Sequence, residues 1–401
     1  MELYLQFAYG MKQIAIDLSK SWGGCSLILS PRDITPKQLC DWKSSFEKAQ
    51  INCLFDPQCY YPKTNHKGLV QYDYWDDCFS TKLGSTLTFE DDLIKSISNY
   101  NDVVNSEEFI IPAAMLNYDD QWEQLWYKQC SKLIEATKKV NKGGKLILTL
   151  ALPAELLLQK EDEIEKIIQI IGKYDVDGYY IVAHPPQAKY LVDVPLWLTN
   201  LIQLSAGLKL QGNKVIVGYG NHQLLCMTAA KVDAMATGTY LNVRRFTNKF
   251  LQEDSILRKS TWYYYPAALS EYKMGFLDAA FNNGVLNSMR PSNDMDRNYV
   301  DVLFSGAMPS SVRFSETMAF KHYLNCVRVQ MKNLSKGSYA DTISANEVML
   351  ETAMRCIENM EKKGVYAQAR SFKDMVDVNK SALQRLEKNY GFQLSKEWNL
   401  I

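Results

Sequence analysis

The stretch KLILTLALPAELLLQKEDEIEKIIQIIGKYDVDGYYIVA, residues 145–183, decides the fold class. It begins with an apolar run at 145–152, continues with an amphipathic stretch of helical period at 154–173, and ends with a second apolar run at 178–183. Short apolar runs of this kind favour buried strands, and two parallel strands need a crossover between them. The stretch therefore predicts one β/α unit of a parallel sheet.

The same unit recurs through the first 245 residues. Six further runs are LYLQFA (3–8), CSLILS (25–30), INCLFD (51–56), EFIIPAAML (108–116), KVIVGYG (214–220) and VDAMATG (232–238). Helical patterns lie between runs, for example from Thr35-Pro36, an N-cap followed by a proline at the first helical position, to Ala49. Eight units in about 245 residues predict an α/β fold, a (β/α)8 TIM-type barrel. A doubly wound open sheet is the alternative.

Two regions fall outside this repeat. Residues 59–107 form an aromatic-rich insertion after strand 3, and a long connection of this kind usually serves as a lid or specificity loop. Residues 246–401 carry three helical patterns, near 315–334, 344–363 and 366–390. No Gly/Pro/Ser-rich linker precedes them, so we expect a mainly helical C-terminal region packed on a barrel of residues 1–245.

Composition narrows the function classes. Lys and Arg total 45 and Asp and Glu total 45, so the formal net charge is zero, which argues against wholesale polyanion binding but leaves room for a local basic groove. No apolar stretch reaches the length of a membrane span, so no membrane partner is expected. The nine cysteines form no CxxC pair, which favours reduced thiols and a cytoplasmic protein.

No cofactor or metal is expected from the motifs. HExxH, CxxC and Asp/Asn calcium-loop patterns are absent, as are a Walker loop and a G-x-S-x-G elbow. The short pattern Gly218-Tyr219-Gly220 lacks the third glycine of a dinucleotide-binding fingerprint.

The candidate catalytic residues are those at predicted strand ends, where TIM barrels hold their active sites. Asp56 follows the third run, and a carboxylate in a partly dry pocket can act as nucleophile or general base. Alternatively, Asp56 caps its own turn before Pro57. His184, before two prolines, and His222, at a helix start, are candidate acid/base partners, with structural histidines as the alternative.

Further polar residues near the same rim are candidates for substrate binding. Arg32 can bind a phosphate or carboxylate, or it can pair with Asp33. The full set is Arg32, Asp33, Gln58, Asn117, Tyr219, Gly220, Asn221, Tyr240, Asn242 and Arg244. Aromatic residues of 60–75 (Tyr60, Tyr61, Tyr72, Tyr74, Trp75) are candidates to stack on an extruded base.

The segment VIVGYGNHQLLCMTAAKVDAMATGT (215–239) resembles the tRNA-guanine transglycosylase superfamily, in which a Gly-x-Gly turn precedes a Val-Asp strand carrying the nucleophilic aspartate. Phe55-Asp56-Pro57-Gln58 looks like the family's other acidic strand end, and residues 262–280 are similar in rhythm to its zinc-binding segment. The chain departs from the family in two places. Ala236 stands at the nucleophile's position, and 246–283 contain no Cys or His for the zinc site.

The resemblance implies a transglycosylase-like enzyme that acts on a nucleoside glycosidic bond, by base exchange or release. Within that resemblance the family's DNA-acting branch, which inserts 7-deazaguanine, is favoured, which implies DNA over RNA as the nucleic acid or nucleotide substrate. The Ala236 departure motivates an alternative, a non-catalytic nucleotide- or nucleic-acid-binding barrel that works through a protein partner on its C-terminal helices. A third hypothesis is a different barrel enzyme, such as a sugar or phosphate lyase.

Overall fold

The computed structural model describes residues 1–61, 66–75, 90–248 and 260–401. Eight parallel strands form one sheet in the order β3-β2-β1-β8-β7-β6-β5-β4, and the end strands β3 and β4 contact each other. The predicted (β/α)8 TIM-type fold is therefore confirmed, with a nearly closed barrel. The strands are β1 Glu2–Gln6, β2 Cys25–Leu29, β3 Ile51–Phe55, β4 Glu108–Ile111, β5 Lys145–Leu152, β6 Gly178–Ala183, β7 Lys214–Val217 and β8 Ala234–Thr237.

Helices connect these strands. The barrel helices are α1 Lys12–Trp22, α2 Pro36–Lys48, α3 Glu90–Val103, α4 Trp122–Val140, α5 Glu161–Ile171 and α6 Pro195–Leu210, and a 3-10 segment, His222–Ala230, follows β7. Helix α2 begins where the sequence predicts it. The Gln38 N–H donates to the Thr35 hydroxyl and the Thr35 N–H donates to the Gln38 side chain, which forms a capping box.

Strand β4 is shorter than the apolar run that predicted it. The run 108–116 continues apolar, but the strand ends at Ile111 because Pro112 has no N–H to donate to the ladder. The chain then leaves the sheet, and the Met115 N–H donates to the Tyr60 carbonyl at 2.8 Å. Asn117 therefore lies six residues beyond the strand end instead of directly after it.

Alternate strand residues fill the barrel interior, as the two-residue period of a strand requires. The buried interior cluster includes Tyr4, Ile28, Leu54, Ile110, Ile147, Tyr180, Ile216 and Ala236. Ala236 pairs with Tyr4 in the register between β8 and β1 and is fully buried. Position 236 is therefore part of a packed interior.

The described part of the 59–107 insertion packs as core. Tyr72 and Tyr74 are each 1% exposed, and their rings lie 6.0 and 6.2 Å from the Phe55 ring. Tyr100 of α3 stacks on Phe55 at 5.5 Å and also contacts the Tyr72 and Tyr74 rings at 4.9 and 5.8 Å. The predicted role of Tyr72 and Tyr74 in a base-stacking lid is corrected, since both lie beneath α3 on the outside of β3. The rest of the predicted lid, 62–65 and 76–89, lies outside the described residues.

The C-terminal region completes the shell of the barrel. It contains a hairpin of β9 Trp262–Tyr265 and β10 Ser270–Lys273, then α7 Met274–Asn282, α8 Glu316–Leu334, α9 Tyr339–Glu361 and α10 Lys373–Glu397. Helix α8 contacts β1 and α1 and so takes the place of the eighth barrel helix, while α10 packs on α6. Residues 1–245 and 246–401 therefore share one core. In the described ranges, no helix is long and apolar enough to cross a membrane.

Candidate active site

Asp56 lies at the C-terminal mouth of the barrel, directly after β3. Its backbone N–H continues the ladder to β2 by donating to the Leu29 carbonyl at 3.4 Å, and the residue is 1% exposed. One carboxylate oxygen, Oδ1, accepts from the Gln58 N–H at 2.9 Å, which caps the Asp56-Pro57-Gln58 turn. Gln58 adopts a left-handed backbone with φ of 55°, which turns the chain sharply at this point.

Three tyrosine hydroxyls surround the other carboxylate oxygen. The hydroxyls of Tyr60, Tyr219 and Tyr180 lie 2.9, 3.4 and 3.5 Å from Asp56 Oδ2. They come from the segment after β3, the end of β7 and the middle of β6. Gly218 makes room for this arrangement, because a Cβ there would lie 2.5 Å from the Tyr180 ring. We refer to Asp56, Tyr60, Tyr180, Tyr219 and the covering Phe246 as the Asp56 chamber.

The environment of Asp56 favours its neutral form. Burial raises the pKa of its carboxyl to about 7, against the opposing effect of the hydrogen bonds from Gln58 and the three tyrosines. Among the described residues, no lysine, arginine or histidine hydrogen-bonds this carboxylate. Asp56 is therefore poised to change its protonation state near neutral pH.

A polar network joins Asp56 to several of the predicted binding residues. The Gln58 amide donates to the Ser30 hydroxyl at 2.8 Å and to the Tyr219 hydroxyl at 3.2 Å. Ser30 donates in turn to Asp33 at 2.9 Å, and the Arg32 N–H donates to the Gln58 amide oxygen at 3.0 Å. The structure thus brings Arg32, Asp33, Gln58 and Tyr219 together next to Asp56.

Phe246 covers the chamber. The residue is 1% exposed, and its ring lies 5.0 Å from Tyr60, 5.2 Å from Tyr219 and 6.0 Å from Tyr61, on which it stacks. A substrate that reaches Asp56 by this route must displace Phe246. The His184 ring packs edge-on against the Phe246 ring, with the ring centres 6.2 Å apart. His184 is half-buried, and burial lowers the pKa of its imidazole. No described hydrogen bond joins His184 to Asp56.

His222 belongs to a different cluster, so its predicted pairing with Asp56 is corrected. Its ring packs on Tyr264 at 5.1 Å and on Phe372 at 5.7 Å, where burial lowers its pKa to about 4. The residue before His222 is Asn221, whose side-chain amide donates to the Tyr190 and Arg244 carbonyls at 2.8 and 3.1 Å. The local turn therefore directs both residues away from Asp56 and towards the C-terminal region.

Arg244 is held by a buried carboxylate. Its guanidinium lies 3.3 Å from Glu271, which Arg370 also contacts at 2.8 Å and to which the Tyr190 hydroxyl donates at 2.8 Å. Arg244 also lies 3.4 Å above the Tyr323 ring. This side chain is fully engaged within the protein, and its predicted role in binding substrate is corrected. We refer to Glu271, Arg244, Arg370 and Tyr190 as the Glu271 cluster.

The remaining candidates are spread over the mouth. Gly220 lies where a Cβ would be 2.6 Å from Met235, and its N–H donates to the Ala236 carbonyl, so its role is close packing. Tyr240 packs on Phe320 of α8 at 4.9 Å. Asn117 is exposed, and Asn242 is half-buried; no described contact joins either to Asp56. Among the described residues, no group of three or more His, Cys, Asp or Glu could hold a metal ion.

Two members of the chamber were not predicted. Tyr180 sits inside the apolar run GYYIVA, where only its alternation with Tyr179 could indicate that one tyrosine faces the interior. Phe246 stands just past the last predicted unit, and no local pattern distinguishes it from other phenylalanines. Both join Asp56 through contacts between residues far apart in the sequence.

Comparison with known proteins assigns this chain to no family. No family model matches the chain, and no curated protein matches it in sequence. A solved structure, described as "The crystal structure of CbXyn10B in native form", is similar at a TM-score of 0.35 and 12% sequence identity. That match covers 59% of this chain and 84% of the other chain.

Proposed function

We propose that the chain acts on the glycosidic bond of a nucleoside, in nucleic acid or in a nucleotide, with Asp56 as the reacting carboxyl. The supporting observation is a fully buried carboxyl at the barrel mouth that is surrounded by neutral hydroxyls and has no cation bonded to it among the described residues. Burying an ionised group without a cation is costly, and an apolar residue would serve packing better. Such an arrangement at the active-site end of a TIM barrel favours a catalytic role.

The chemistry requires a group that reacts at the sugar. Breaking the bond between C1′ and the base passes through an oxocarbenium-like state, which a carboxylate can stabilise or trap as a covalent intermediate. Asp56 is suited to be that nucleophile or a general base, because a pKa near 7 leaves it partly ionised at neutral pH. In this proposal His184, on the far side of Phe246, remains the acid/base partner once Phe246 moves.

The proposed reaction is exchange or release of a base, and the proposed polymer is DNA, with insertion of a 7-deazaguanine base as the specific form. The residues that carry this part are Asp56 and Gln58, through their likeness to the acidic strand end of the transglycosylase superfamily. In this structure the side-chain amide of Gln58 donates hydrogen bonds to the Ser30 and Tyr219 hydroxyls, and Tyr219 in turn contacts Asp56.

The surroundings of Asp56 also favour a second candidate, a non-catalytic barrel that binds nucleotide or nucleic acid and acts through a protein partner on its C-terminal helices. The Gln58 N–H bonds Asp56 Oδ1 and so gives the carboxyl a turn-capping role, and Phe246 covers it. Ala236 also leaves the chamber without the second carboxylate of a retaining mechanism.

The test is isotope-labelled guanine and 7-deazaguanine incubated with double-stranded DNA or transfer RNA, followed by mass spectrometry of the nucleosides. We expect incorporation or base release by the wild type and a loss of at least about 100-fold in Asp56→Asn. Asp175→Asn is the matched control, since Asp175 is almost fully exposed in its pair with Lys138. If the wild type neither exchanges nor releases a base, the proposed transglycosylase activity is wrong.

A further inference from the structure

A small, partly open cleft lies beside the Asp56 chamber, between the loop after β6 and the segment after β8. Its walls include Tyr219 and Phe246, which are also members of the chamber, together with Lys189 and Arg245. Because the two sites share these walls, a molecule bound in the cleft lies next to Asp56.

The adjacent residues Arg244 and Arg245 differ in burial and in bonding partners at this cleft. Arg244 is fully buried against Glu271, whereas Arg245 is half-buried and donates to the Ala188 carbonyl. No carboxylate among the described residues pairs with Arg245. Burial lowers the pKa of its guanidinium, an effect that Tyr190 opposes and Arg370 reinforces.

Positive charge exceeds negative charge around the cleft. Lys189 pairs with Asp193 at 2.5 Å, and a single carboxylate, Glu271, serves both Arg244 and Arg370. Among the described groups, three cations thus pair with two carboxylates, and Arg245 adds a fourth cation that pairs with neither. In a chain of zero net charge, this local excess indicates an anionic ligand.

We propose that this cleft binds a phosphate group of the substrate, with Arg245 as the principal ligand and Lys189 as the second. Guanidinium groups bind phosphate through paired N–H donors, and TIM barrels frequently hold phosphate at the loops after strands 7 and 8. The assignment to substrate rests on the proposed function, whereas phosphate binding at the cleft does not. A nucleotide with its phosphate here would place its sugar towards Phe246 and the Asp56 chamber.

The test is fluorescence anisotropy of a short labelled single-stranded DNA, competed with dGMP or with deoxyguanosine. We expect the wild type to bind the DNA, dGMP to compete, and deoxyguanosine, which has no phosphate, to compete at least about tenfold more weakly. Direct binding of dGMP in isothermal titration calorimetry, without binding of the DNA, would identify a free nucleotide as the source of the phosphate.

Variants separate this site from the general charge of the surface. Arg245→Gln should weaken binding about tenfold and lower the slope of log affinity against log salt by about one, while Arg245→Lys should recover part of the loss. Arg385→Gln is the control, an arginine on α10 that bonds Glu161. Equal binding by the wild type and a folded Arg245→Gln, or no binding of any probe, would overturn the proposal. The anisotropy assay measures binding and the nucleoside assay measures base exchange, so a failure of the enzyme proposal is distinguishable from a failure here.

Discussion

Asp56 and Glu271 are two buried carboxyls that the protein treats in opposite ways. Burial raises the pKa of Asp56 to about 7, because its partners are neutral hydroxyls and an N–H. Burial acts in the same direction on Glu271, but Arg244 and Arg370 reverse it and hold that pKa below its ordinary value. The same degree of burial therefore gives one carboxyl that can take up a proton near neutral pH and one that remains charged.

The two sites are separated by very little chain. Tyr219 faces Asp56, while Asn221 and His222 face the Glu271 cluster. The comparison teaches that burial alone does not mark a functional carboxyl. What matters is whether the protein supplies the compensating charge, which it does for Glu271 and does not for Asp56.

The largest expected effect is on the compensated carboxyl. Glu271→Gln leaves the buried Arg244 without its anion, so we expect a loss of about 3–5 kcal/mol in the free energy of unfolding at pH 7, measured by urea denaturation. The control Glu123→Gln removes an exposed partner of Lys166 and should change that free energy by less than about 1 kcal/mol. A similar small loss in both variants would show that the cluster contributes no more than a surface pair.

The uncompensated carboxyl should behave in the opposite way. The pKa of Asp56 is higher in the folded protein than in the unfolded chain, so its contribution to stability is complete below about pH 4 and is lost as the pH rises through 7. Asp56→Asn removes that loss, so the variant should be more stable than the wild type at pH 8 by about 2–4 kcal/mol. Unfolding of both proteins between pH 4 and 8 checks this, and a pH-independent difference would contradict it.

A smaller effect sharpens the role of the tyrosines. Tyr60→Phe removes the hydroxyl 2.9 Å from Asp56, which should raise the pKa of that carboxyl further and destabilise the ionised form by about 1 kcal/mol. The measurement is the same pH series, in which the stability decline should begin at the same pH as in the wild type but continue to a higher pH. Tyr72→Phe is the matched control, because its buried hydroxyl bonds the Ile34 carbonyl and its loss should not depend on pH.

Two local patterns in the sequence predict most of the fold and part of the site: the apolar runs mark the strands, and the rule that barrel active sites lie at the strand ends marks the candidate residues. The apolar runs locate all eight strands, with β5 and β6 matched to the residue, since alternation and turn residues are local properties. The same rule brings Asp56, Gln58 and Tyr219 to one mouth. His222 satisfies that rule as well, yet its side chain points to Tyr264 and Phe372, which are 42 and 150 residues away in sequence. No local pattern encodes such contacts.

Helix α8 gives the barrel an unusual assembly order. The strand it covers, β1, is synthesised before the other strands of the barrel, whereas the helix itself begins at residue 316. The apolar surface of β1 and α1 that α8 covers is therefore synthesised about three hundred residues before α8 itself. A nascent chain exposes that flank throughout this interval, when transiently exposed apolar surface favours aggregation.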